Sequence, residues 1–167
     1  NQRAAIRRID DLRMDRFSLP DLIAHAQANG YNCVVLGETA DFIAANTIAH
    51  IASGRVETLP FIAADDRTSY APVILLRPAR QCLHAEAEFY CTHRHVQFDN
   101  CPSPLQTAFP EEFSITRRLL AEGQSGTPFA VQRMCEKLPR IQLPCVCPVC
   151  RLPASSGDTP CVFCATH

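Results

Sequence analysis

Two short cysteine knuckles, Cys147-Pro148-Val149-Cys150 and Cys161-Val162-Phe163-Cys164, stand ten residues apart near the end of the chain. Each CxxC places two thiolates on one tight turn whose backbone amides point at the sulfurs, and four such thiolates match the tetrahedral preference of zinc. Five of the ten cysteines fall in the last 23 residues, a clustering unlike that of thiols scattered through a core. The ten residues between the knuckles, Arg151 to Pro160, offer little to bury. A bound metal would therefore have to supply the folding free energy of this segment. We expect a structural zinc ribbon ligated by Cys147, Cys150, Cys161 and Cys164, with Cys145 and His167 near enough in sequence to compete as ligands. The same spacing is open to a disulfide pair, a redox motif or an iron–sulfur cluster. A ribbon of this kind serves as a structural clip or a nucleic-acid contact and by itself implies no chemistry.

Ahead of the knuckles the hydrophobic pattern switches repeatedly between helical and strand-like periods. Ser18 to Gly30 predicts a helix with Ser18 as its cap, Gly30 as its stop and Leu22, Ile23 and Ala26 facing the core. Tyr31 to Gly37 is an apolar, β-branched run read as a buried strand. Glu38 to Arg55 predicts a second helix with Ile43, Ala44, Thr47, Ile48 and Ile51 on its inner face and Gly54 ending it. Leu59 to Ala71 reads as turn-rich chain, Pro72 to Ala79 as a second buried strand, and Arg80 to His93 as a third helix. Two more helices are predicted at Glu111–Gly123 and Thr127–Leu138, and prolines 139, 144, 148, 153 and 160 then break all periodicity. The expected division is an α/β domain over 1–138 and a cysteine-rich module over 139–167. Alternating helices and strands imply a parallel, Rossmann-like sheet, which normally has about five strands. Only two are legible, so either further strands precede Asn1, which agrees with a first residue other than Met, or some strands escape the pattern.

Charge excludes a polybasic protein: 16 basic residues meet 17 acidic ones across 167 residues. No stretch approaches the length of a membrane span and no secretory leader is legible, so we expect a soluble, cytoplasmic chain. The sequence lacks GxGxxG, Walker, HExxH and GxSxG motifs. Its one loop in the position where open α/β sheets hold ligands is Leu36-Gly37-Glu38-Thr39-Ala40-Asp41. Gly37, Glu38 and Asp41 are the nucleotide-adjacent candidates, with helix capping as the competing reading. Arg77, Arg80, Arg117 and Arg118 are the candidates for an RNA-facing surface, solvated faces being the alternative. His93 and His95 flank Arg94 where a helix should end, so favourable charge there explains them without a ligand. Cys33, Cys82, Cys91 and Cys135 read as small buried apolar groups, and Cys101 stands alone in a loop.

Read in order, several segments resemble the cytoplasmic tRNA 2-thiolation protein 2 family, the second subunit of the cytosolic tRNA thiouridylase. Leu36 through Ala44 is similar to that family's LLGDSATRLAI stretch, and Gly54 through Phe61 to its GRG-x-x-LPW pattern. Asp65-Asp66-Arg67 resembles its D-E-R triplet, Val73 through Arg80 its strand ending in RPMR, and Glu86 through Tyr90 its EVAFY helix end. Cys135-Glu136-Lys137-Leu138 resembles its late SEKL, which is likewise followed by a cysteine tail. The resemblance spans roughly residues 22 to 164 with order and spacing preserved.

The resemblance implies a PP-loop ATP-pyrophosphatase-like α/β fold carrying a zinc module, in a heterodimer with a catalytic sister subunit. The sister activates the wobble uridine of certain tRNAs with ATP and accepts sulfur from a thiocarboxylated ubiquitin-related modifier. This chain departs from the sister's pattern in three ways. It lacks the SGGxDS phosphate loop; Gly37 to Phe42 stands where the sister has GHNADD; and no CxxC precedes the first helix. Those departures imply a non-catalytic partner, and leave open whether ATP binds this chain. The alternatives are a complete tRNA sulfurtransferase and a zinc-ribbon RNA- or protein-binding adaptor without ATP chemistry.

Overall fold

The computed structural model describes residues 19–52, 54–63, 72–98, 110–122, 126–139, 145–149, 153–154, 157–160 and 165. Helix α1 (Leu19–Ala28) leads into strand β1 (Cys33–Val35), and helix α2 (Ala40–Ala52) follows. A 3₁₀ turn at Val56–Thr58 and the short helix α3 (Leu59–Ile62) come next, before strand β2 (Ile74–Leu76). Strands β1 and β2 pair in parallel, with Cys33, Val34 and Val35 opposite Ile74, Leu75 and Leu76. After β2 come a 3₁₀ turn at Pro78–Gln81 and helices α4 (His84–His93), α5 (Pro110–Ala121) and α6 (Thr127–Lys137). A two-residue hairpin, β3 (Cys145–Val146) and β4 (Pro153–Ala154), pairs antiparallel. The chain is thus a mixed α/β protein, mostly helical, with a small parallel sheet. No helix among the described residues is long and apolar enough to cross a membrane.

Among the described residues, two clusters form the core. Val73 and Leu75 pack with Ile23 and Ala26 of α1, and Val34 joins them from β1. Ile43 of α2 packs with Leu59 and Ile62 of α3 and with Cys135 of α6. Helix α2 is the hub, in contact with α3, α4, α5 and α6. Its alanines at 40, 44, 45 and 49 are all buried, and such small side chains let neighbouring backbones approach closely.

Several expectations need correction. Val35 is 61% exposed, so β1 is not buried on both faces. Side chains alternate along a strand, and the face that carries Val34 and Leu75 is the one α1 covers. Ile51 is also exposed, and His50 takes its place on the inner stripe of α2. At 3.6 residues per turn, position 50 lies about 20° from the direction of Ile43, whereas position 51 lies about 80° away. The segment read as turn-rich contains helix α3. The third helix starts at His84 rather than Arg80, because Cys82 is extended (φ −121°, ψ 139°) and separates the 3₁₀ turn from α4. Of the four cysteines read as buried, only Cys135 is; Cys33, Cys82 and Cys91 are half-buried. Ser18 and Cys101 lie outside the described residues.

Three helices end in the same way. In α1, Gly30 N–H donates to Gln27 O and Tyr31 N–H to Ala26 O; in α2, Gly54 and Arg55 donate to Ile51 and His50. In α4, His95 and Val96 donate to Thr92 and Cys91. This is the Schellman closure, which needs one left-handed residue. Gly30 and Gly54 supply it at φ +70°, but in α4 the residue is His95 at φ +55°. A side chain in that conformation costs about 1–2 kcal/mol that glycine avoids.

Candidate functional site

The two parallel strands end at the same edge, and the segments leaving them meet there. Glu38 follows β1 and Arg77 follows β2, and the Arg77 Nε–H donates to Glu38 Oε2 at 2.5 Å. Arg77 is 3% exposed and Glu38 is 21% exposed. A buried guanidinium needs a paired anion, so this contact fixes the spacing of the two strand ends. Arg77 is therefore no outward-facing RNA contact. Its removal strands a carboxylate that water only partly reaches. We expect Arg77→Met to destabilise the fold by about 2–3 kcal/mol, below the range for fully buried pairs. The double variant Arg77→Met, Glu38→Met recovers most of that loss. Urea unfolding of both singles and the double checks this as a double-mutant cycle.

Asp41, in the first turn of α2, is a cap, but for a different helix. Its Oδ1 accepts the N–H of His84, the first residue of α4, at 2.9 Å. Glu86 completes the capping by accepting the Leu83 N–H at 2.7 Å. The N–H of Ala40, which opens α2, is taken by the Cys82 carbonyl at 2.8 Å. Gln132 of α6 reaches the Ala40 carbonyl through its Nε2 at 3.4 Å, and its buried Oε1 has no hydrogen-bond partner among the described residues. Beside it, Arg80 donates to Glu136 at 2.6 Å, joining the turn after β2 to α6. Gln81, Phe129, Gln132, Arg133 and Glu136 line a cavity of about 60 Å³. That admits a few water molecules and is far below the roughly 300–1,000 Å³ of a small-molecule site. The strand-end loop is thus rich in polar groups that hold one another: Glu38 and Asp41 bond to protein, and Gly37 is exposed beside them.

The four arginines picked from sequence differ in exposure and pairing. Arg77 is buried, Arg80 is paired with Glu136, and Arg117 and Arg118 are exposed on α5. In the tail, Cys145 opposes Ala154 and Val146 opposes Pro153, so residues 147–152 connect the two strands of a hairpin. Cys147 opens this connection and is fully buried. Cys150 belongs to the same connection in sequence, but its position, like those of Cys161 and Cys164, lies outside the described residues. A buried cysteine at the mouth of a hairpin turn suits the first knuckle of a thiolate zinc site. Among the described residues no three His, Cys, Asp or Glu side chains are grouped to hold a metal.

Sequence reading missed two features of this region. The reach of Asp41 to His84 joins residues 43 apart, and no local pattern announces it. The buried pair His50 and Thr58, with Nδ1 2.6 Å from Oγ1, spans the end of α2, where a histidine reads as ordinary C-terminal charge. No protein-family model matches the chain, and no curated protein is significantly similar to it.

Proposed function

We propose that this chain is the non-catalytic partner subunit of the complex that 2-thiolates the wobble uridine of cytosolic tRNAs. The observation that carries the reading is the serial order of six segments, from Leu36-Gly37-Glu38 to Cys135-Glu136-Lys137-Leu138, that resemble the second thiouridylase subunit. The engagement of Glu38 by Arg77 and of Asp41 by His84 supports a structural rather than catalytic strand-end loop. In this reading β1, α2 and β2 belong to a PP-loop-like domain. Cys147, Cys150, Cys161 and Cys164 hold zinc, which clamps the tail and supplies no reaction step. The catalytic sister adenylates the uridine, making its carbonyl oxygen a good leaving group for displacement by sulfur from the ubiquitin-related modifier. This chain contributes tRNA surface and stabilises its sister.

Mercury-affinity gel retardation of bulk tRNA, after depletion of the protein in its own cells, tests the reading. Loss of the retarded, thiolated species is expected, with recovery on re-expression of the wild-type chain. The Cys147→Ser, Cys150→Ser variant should lose its zinc, measured as metal per chain, and fail to restore thiolation. Unchanged thiolation after depletion overturns the reading. A brown protein carrying iron instead of zinc overturns the zinc assignment.

A further inference from the structure

We draw no further inference here: the strongest candidate, the outer edge of strand β1, where Val35 is exposed and β2 is the one paired strand among the described residues, is unpartnered apolar surface with nothing in the structure to show what covers it.

Discussion

Leu75→Ala should lower the free energy of unfolding by about 2–5 kcal/mol, while Val35→Ala changes it by less than about 0.5 kcal/mol. Leu75 is fully buried at the centre of the parallel pair, against Ile23, Ala26 and Val73. Truncation there removes transfer free energy and leaves a cavity between the sheet and α1, which a helix docked on a strand can close only in part. Val35 lies in the partner strand, opposite Leu76, and is 61% exposed. Its truncation removes contacts with water more than with protein. Urea unfolding of the two variants gives the comparison, and with each 1 kcal/mol worth roughly 2–4 °C at this size, Leu75→Ala should also show as a clear fall in Tm. Equal losses from the two variants would mean that Val35 is covered in the folded protein and that the sheet is buried on both faces.

That contrast also marks how far the sequence could be read. The runs around Val35 and Leu75 look alike, short, apolar and β-branched, and both were legible as strands because their flanking glycine and prolines bound them. Which side chains face the core depends on what covers each face, and that is set by α1 docking from another part of the chain. Helix ends were legible at Gly30 and Gly54, where glycine marks them, and at His93, where the left-handed residue beyond the helix is a histidine. The start of α4 was misplaced because its caps are Glu86 from within and Asp41 from a residue 43 positions away. The candidate site behaved similarly. Placing Glu38 and Asp41 at the strand ends follows from the strand–loop–helix pattern, but their partners, Arg77 and His84, come from the next strand and the next helix. A surface arginine and a buried one share the same local sequence character, so Arg77 could not be told from Arg118.

The second large effect concerns acid. His50 is 4% exposed, and its Nδ1 lies 2.6 Å from Thr58 Oγ1. Thr58 gives its own hydroxyl hydrogen to the Arg55 carbonyl at 2.8 Å, so Nδ1 is the donor in the histidine–threonine bond. Burial, and then the positive charge of Arg55, pull the His50 pKa from 6.5 down to about 4. The folded state therefore resists a proton that the unfolded chain takes up, and stability falls as pH drops through this window. Above about pH 6.5 both states are neutral at this residue and the contribution is complete; it is lost progressively towards pH 4, and below that the term is flat. Its full size is on the order of 3 kcal/mol, a large share of the stability of a chain this size. His50→Leu removes the titration while leaving the Thr58 hydroxyl bonded to Arg55. Urea midpoints at pH 7, 5.5 and 4.5 should therefore fall more steeply for the wild type than for His50→Leu, the two curves converging as pH drops. Parallel curves would show that the imidazole is accessible to protons in the folded state and that α2 is not closed over it.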